Sequence, residues 1–391
     1  MTKHTRKFAT AAVHGGRLPS DGTGTHVTPI YPTSTFLLGS LDRGERLFAG
    51  DEAGYIYTRL TNPTVSALET QMAELEGAEA AIAFASGMGA ISTMIFSLLG
   101  SGDEIIFLGP LYGGTRGMFE DVLPRLGITS KSATVATLES AIGPNTRLIY
   151  GESPTNPTLR LHDYRKVAEI AQAHGILTAF DNTFASPALS RPIEYGIDMV
   201  LHSATKYLGG HGDLIAGVLS GSAELLTHIR MEGLRHFGAV IDPHTAWLVL
   251  RGLKTLHLRM AKHSENAMKV AQALAGHEKL SAVYYPGLAN HPEHELAKEQ
   301  MADFGGMVSI EFAGGREAAA KFLDATEIFE NAVSLGDVSS LASHPASTTH
   351  QLLTGEVLAS EHITPALVRL SVGVEDADDL ISDLLHALDA S

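Results

Sequence analysis

The chain has 391 residues, no cysteine and a formal charge of −16. At about 150 residues per domain, that length allows two or three domains, each with its own core, and 44% apolar against 18% charged residues is a globular balance that argues against disorder. The acidity repels polyphosphate and argues against nucleic acid, while the lack of cysteine excludes a disulfide framework, an iron–sulfur cluster and a Cys nucleophile, and is compatible with a cytoplasmic location.

The opening run Met1-Thr2-Lys3-His4-Thr5-Arg6-Lys7 is basic, but no apolar stretch follows it, so it does not read as a secretory signal. Residues 1–60, rich in Gly, Thr and Pro, read as an extended arm. After Asn62-Pro63 the spacing predicts an amphipathic helix, with Val65, Leu68, Met72 and Leu75 on one face and Gly77 as its C-cap. The uncharged stretch between Glu79 and Asp103 is broken by Ser86-Gly87-Met88-Gly89, and what remains is too short to span a bilayer.

From about residue 80 to 220, short apolar strands alternate with helices. The strands are expected at Ala80–Ala85, Glu104–Leu108, Arg147–Gly151, Ile176–Phe180 and Met199–His202, with a helix at Ala90–Leu99. Such alternation predicts an α/β domain with a mostly parallel sheet covered on both faces. Farther on, the pattern predicts one long helix from Pro243 to about Ala275, strands at Met307–Phe312 and Val368–Val372, and helices at Glu317–Ala325 and Asp378–Leu388. The reading is an arm (1–60), a large domain (61–245) and a smaller α+β C-terminal domain (246–391).

Ligands of parallel sheets bind beyond the carboxyl ends of the strands. There the chain places Ser86-Gly87-Met88-Gly89, Glu152-Ser153-Pro154-Thr155-Asn156-Pro157, Asp181-Asn182-Thr183 and Ser203-Ala204-Thr205-Lys206. Singly, each is ordinary: an Asp after a strand is usually a turn residue, and a loop lysine is usually solvated. Together they suit one aldehyde cofactor. A helix start at Ser86, Gly87 and Met88 offers N–H groups to a phosphate, and Ser203 and Thr205 add hydroxyls. Lys206 can bond covalently to an aldehyde. Asp181 can keep a pyridine nitrogen protonated, Asn156 can reach the ring oxygen, and Tyr112 can stack on the ring. These are the requirements of pyridoxal 5′-phosphate (PLP). The 19 histidines, His202, His211, His344 and His350 among them, match no metal-ligand spacing, and no metal is expected.

The run Ser203-Ala204-Thr205-Lys206-Tyr207-Leu208-Gly209-Gly210-His211-Gly212-Asp213 resembles the PLP-lysine signature of the cystathionine γ-synthase-like (Cys/Met metabolism) enzymes. The resemblance extends through Tyr55–Thr64, Ala85–Ala90 and the segments opening at Glu152 and Asp181 to Val368-Arg369-Leu370-Ser371-Val372-Gly373. It implies PLP fold type I and a homotetramer built from two tight dimers. In it Tyr57 and Arg59 reach a neighbouring subunit's phosphate. It further implies that Arg369 grips the substrate carboxylate, with Ser334 beside it.

That family holds synthases, β-lyases and γ-lyases. The run Asn331-Ala332-Val333-Ser334-Leu335-Gly336-Asp337, with Ser343–His350 after it, looks like methionine γ-lyases. Cystathionine-processing relatives commonly have Glu where this chain has Val333, and valine suits an apolar substrate end. Two features depart from that pattern: Gly114 stands where many such lyases have a reactive Cys, and Arg235-His236 where they have Lys-Asp. The expectation is α,γ-elimination of L-methionine by Lys206, Tyr112 and Asp181, with Val333 and Gly114 shaping the substrate pocket. The alternatives on the same scaffold are an O-acyl-homoserine sulfhydrylase and a cystathionine γ-lyase.

Overall fold

The computed structural model describes residues 6–17, 24–351, 353 and 355–391; Met1 to Thr5 of the basic opening run lie outside it. The arm is less extended than its composition suggests. It carries helices α1 (Phe8–His14) and α2 (Leu41–Ala49). The second has the cap chemistry of a longer helix: Ser40 accepts from Arg43 N–H at its start, and Gly50 closes it in the left-handed region. α1 buries Ala11 and Ala12, and Gln71 donates to the Ala12 carbonyl at 2.6 Å. Next comes α3 (Pro63–Glu76), capped by Asn62 and by Gly77 at φ 71°. Its Leu68, Met72 and Leu75 are fully buried, each contributing about 1.5–3 kcal/mol by leaving water.

The large sheet contains β1 (Ala80–Phe84), β2 (Glu104–Leu108), β3 (Thr129–Ala133), β4 (Thr146–Glu152), β5 (Leu177–Asp181), β6 (Met199–Ser203) and β7 (Gly217–Gly221). Their order is β1-β7-β6-β5-β4-β2-β3, and β7 alone runs against its neighbours. Two of these strands escape the hydrophobic pattern. β3 is the polar edge Thr-Ser-Lys-Ser-Ala, and β7 is a short glycine-bounded run. The central strands bury both faces. Ile105, Phe107, Tyr150 and Leu201 pack with α4 (Gly87–Leu98). Ile106, Ile149, Phe180 and Val200 pack with the helix Tyr164–His174.

The smaller sheet is formed by β8 (Leu280–Tyr284), β9 (Met307–Phe312), β10 (Glu330–Asn331), β11 (Leu341–Ser343) and β12 (Leu367–Ser371), in the order β10-β11-β12-β9-β8. Helices Leu256–Leu274, Gly315–Ala325 and Ala377–Ala390 cover it. Among the described residues no helix is long and apolar enough to cross a membrane.

The single helix expected from Pro243 onward is two, Pro243–Leu253 and Leu256–Leu274. Gly252 presses on the backbone of Leu208 and Gly209, where a Cβ would come within 2.5 Å of the Gly209 oxygen. Buried Arg259 spans the break: it donates to Gly252 O at 2.8 Å and to Tyr207 O, in the Lys206 loop, at 2.6 Å. Replacing Arg259 by Leu leaves the Tyr207 carbonyl without its donor directly behind the Lys206 loop, while the Gly252 carbonyl keeps the Thr255 N–H at 3.2 Å. A loss of about 3 kcal/mol is expected, read as a fall in the thermal unfolding midpoint; an unchanged midpoint would show that the break needs no such support.

Candidate active site

A cavity of about 500 Å³ opens beyond the carboxyl ends of β4, β5 and β6. Its floor comes from the residues after those strands, one end from the start of α4, and the opposite wall from the loop before β11, the segment after it, and β12. Of the residues predicted to form the site, Ser86, Gly87, Met88, Tyr112, Asn156, Asp181, Ser203, Thr205, Lys206, Val333, Ser334 and Arg369 line this space. Tyr57, Arg59 and Gly114 do not.

Lys206 Nζ donates to Ser334 Oγ at 2.6 Å. Burial, and then the nearby Arg369 cation, lowers the Lys206 ammonium to about 8. Arg369 is 2% exposed. Its Nη1 donates to Asn156 Oδ1 at 2.9 Å and its Nη2 to the Ser334 carbonyl at 2.8 Å, while Nε has no partner among the described residues. A buried guanidinium held only by neutral acceptors is an unfinished anion site. Ser334 itself adopts φ 92°, a left-handed backbone that places carbonyl and hydroxyl where both cations reach them.

At the other end, Ser86 caps α4 by accepting from Gly89 N–H at 2.9 Å, and Ala90 N–H bonds the Ser86 carbonyl. The first-turn N–H groups of Gly87 and Met88 are left on the cavity wall, where the helix dipole favours an anion. A Cβ at Gly87 would sit 3.0 Å from the Ser203 Cβ, so glycine lets the helix start close on Ser203. The Thr205 hydroxyl is engaged with the Ala216 backbone, accepting from its N–H at 3.0 Å.

Between these ends stand two carboxylates in register, buried Glu152 on β4 and half-buried Asp181 on β5. Burial raises both, Glu152 well above the usual carboxylate range, while hydrogen bonding from Thr183, whose N–H donates to Asp181 Oδ1 at 2.9 Å, opposes the rise at Asp181. Glu152 accepts from Tyr112 N–H at 2.7 Å and so fixes the tyrosine turn. It was not among the predicted site residues. Its signal was a carboxylate at a strand end, and its importance rests on β4 and β5 being neighbours. Thr183, Ile215, Thr348 and Thr349 are further lining residues that the sequence left unmarked. The room expected beside Gly114 is taken: a Cβ there would meet Cε1 of Tyr112 at 2.6 Å, so glycine makes space for the tyrosine ring.

Tyr57 is 42% exposed, and the Arg59 guanidinium lies 5.7 Å from its ring centroid while donating to the Arg235 carbonyl. Neither faces the cavity of its own chain. The donors that do face it fit PLP: free helix N–H groups with Ser203 for a phosphate, a half-buried carboxylate for a cationic ring nitrogen, and a lysine of lowered basicity for an aldehyde.

The model of the family described as Cys/Met metabolism PLP-dependent enzyme matches residues 9–389. An L-methionine gamma-lyase of Pseudomonas putida is 47% identical over 388 residues, covering 98% of each chain. A cystathionine gamma-lyase of Bacillus subtilis is 44% identical, covering 98% of this chain and 99% of that one. A Campylobacter jejuni structure solved with N′-pyridoxyl-lysine-5′-monophosphate superposes with a TM-score of 0.94 at 35% identity, over 98% of this chain and 100% of that one.

In cofactor-free protein, a small aldehyde with cyanoborohydride should label the Lys206 peptide with a midpoint near pH 8, because the folded chain lowers that amine from 10.5 to about 8. Exposed lysines should follow about 2 units higher. A Lys206 midpoint equal to theirs would remove the basis for its neutral amine.

Proposed function

The chain belongs to the Cys/Met metabolism PLP-dependent enzymes, and from that membership we propose that it is a carbon–sulfur lyase converting L-methionine and water to methanethiol, 2-oxobutyrate and ammonia. The observation that carries the substrate is the polarity of the cavity. Arg369, buried and short of an anion, stands in it, and so do Val333 and Ile215, both apolar and at the mouth. Similarity to L-methionine gamma-lyases supports the same choice.

The residues have complementary tasks. The N–H groups of Gly87 and Met88, with Ser203 and Thr205, would hold the cofactor phosphate. Asp181 would hold the ring nitrogen and Tyr112 would stack on the ring. Asn156, whose Oδ1 is taken by Arg369, has its amide N–H groups left for the ring oxygen. Bound PLP supplies the electron sink that makes the substrate Cα–H acidic. Arg369 fixes the carboxylate through charge-assisted hydrogen bonds, with Ser334 beside it. Lys206, with a sizeable neutral fraction near neutral pH, takes the proton from Cα as a general base. Departure of the γ-sulfur also requires loss of a Cβ proton, and the Tyr112 hydroxyl protonates the thiolate as it leaves. Val333 accepts the S-methyl group without stranding a charge.

Tyr57 and Arg59 are assigned to the phosphate of a neighbouring subunit in a homotetramer. Two observations support this: they lie outside their own cavity, and the arm exposes Leu37 at 92%, Leu41 at 79% and Phe48 at 65%, apolar surface that asks for a cover. The acidic, cysteine-free composition is compatible with the cytoplasm.

Pure holoenzyme given L-methionine alone should release 2-oxobutyrate. Absence of keto acid, with rapid homocysteine formation from an O-acyl-homoserine and sulfide, would assign the sulfhydrylase reaction instead. Asp181→Asn should lower kcat by roughly a hundredfold or more, and near-normal turnover would remove Asp181 from the site. Arg59→Ala and Lys206→Ala proteins, each inactive, should regain activity when mixed under subunit exchange; a fully active monomer would contradict the shared site.

A further inference from the structure

The segment that follows β11 closes one side of the cavity and belongs to no part of the parallel sheet. It puts Thr348 and Thr349 on the cavity wall and buries His350 to 1% exposure. It then returns through Glu361 and buried Ile363 to β12, which carries Arg369. Opposite lies the turn Tyr112–Gly117. The two meet with almost no clearance, since a Cβ at Gly113 would stand 1.9 Å from the Thr349 carbonyl oxygen.

One polar contact ties these walls together across 245 positions of sequence. Arg116 Nη1 lies 3.2 Å from Glu361 Oε1, in a pair with side chains only 11% and 10% exposed. The guanidinium also bonds Glu120 at 2.5 Å and lies 4.5 Å from the centroid of the Phe107 ring. Among the described residues Glu361 Oε2 has no partner. The pair is thus asymmetric: Arg116 would keep Glu120 if the contact opened, but Glu361 has no second cation to turn to.

We propose that Arg116 and Glu361 form a latch that holds the Thr348–Thr349 wall against the Tyr112 turn and so sets the width of the cavity around an amino-acid substrate. The latch rests on the reading of this cavity as the amino-acid site, and both members are positioning residues, touching neither substrate nor cofactor. Opening a pair this deep leaves a carboxylate buried and unpaired, so the latch favours the closed wall. It can nevertheless open locally, since it joins a surface segment to a turn and not two core strands.

Glu361→Gln keeps the shape and an acceptor while removing the charge, and it leaves Arg116 paired with Glu120. In the cofactor-loaded enzyme, backbone hydrogen exchange should accelerate about tenfold in peptides covering 110–117 and 344–351, with β4, β5 and β6 unchanged. KM for L-methionine should rise about three- to tenfold with kcat within about twofold. Glu361→Asp should recover part of the protection. Arg116→Met combined with Glu361→Gln should add little to Glu361→Gln alone, as expected for two residues of one contact. Unchanged exchange in both peptides overturns the latch. So does acceleration spread evenly over the chain with KM and kcat both degraded, the signature of lost folding. If the wild type leaves methionine untouched, the substrate reading fails by itself, and the exchange measurement, made without substrate, still decides the latch.

Discussion

The Arg369 guanidinium is the interaction on which the site depends. It projects from β12 of the smaller sheet, donates to Asn156 beyond β4 of the large sheet, and donates to Ser334 on the connecting loop. A cation 2% exposed and bonded to neutral oxygens is costly, and burial pulls its pKa down to about 10, still charged at neutral pH. That cost serves two ends. It leaves a buried cation facing the cavity, and its field, added to desolvation, lowers Lys206 to about 8. A carboxylate arriving at Arg369 neutralises the same charge that depresses Lys206. Substrate binding and the basicity of the lysine are therefore coupled through one residue.

A similar economy holds on the acidic side. Glu152 and Asp181 end adjacent parallel strands in register, and two carboxylates so placed do not both ionise easily. Their surroundings separate them. Thr183 donates to Asp181, and Thr183 is itself held in place because its hydroxyl accepts from Ser203 N–H at 2.8 Å. Glu152 turns to the tyrosine loop instead. Each carboxylate is thereby held by a different backbone N–H, Asp181 by Thr183 and Glu152 by Tyr112, before any ligand enters.

Much of this was legible in the sequence, for a definite reason. In a parallel sheet, chemistry gathers where strands end, so Asp181, Asn156, Ser203 and Lys206 can be picked out as polar residues following short apolar runs. Arg369 and Ser334 carry no such local mark, and only resemblance pointed to them, because their meaning arises when the smaller sheet docks on the larger. The helix break after Leu253 has neither Gly nor Pro at Lys254-Thr255; it is set by Gly252 lying against Leu208 and Gly209 and by Arg259 reaching back. α2 is a different case, since Ser40, Asp42 and Gly50 carried its cap signals and the Gly-rich surroundings masked them. The Arg116–Glu361 pair lies beyond any local pattern.

The distribution of polarity also constrains how the enzyme can choose among sulfur amino acids. Every candidate shares the α-carboxylate that Arg369 is proposed to bind, so discrimination falls to the far end of the substrate. A single S-methyl moved from water onto Val333 and Ile215 gains only about 1 kcal/mol. The larger effect is rejection: a distal ammonium and carboxylate brought against apolar side chains with no partner costs several kcal/mol when water is excluded. In the isolated chain water is not excluded, because Val333 is 56% and Ile215 66% exposed. A valine can refuse a charged tail only behind a cover. Selectivity for methionine over cystathionine on this scaffold therefore requires the mouth to be closed by something beyond the single chain's cavity walls. The same closure would bury apolar surface that one chain alone leaves in water, so assembly and substrate choice draw on one free-energy source.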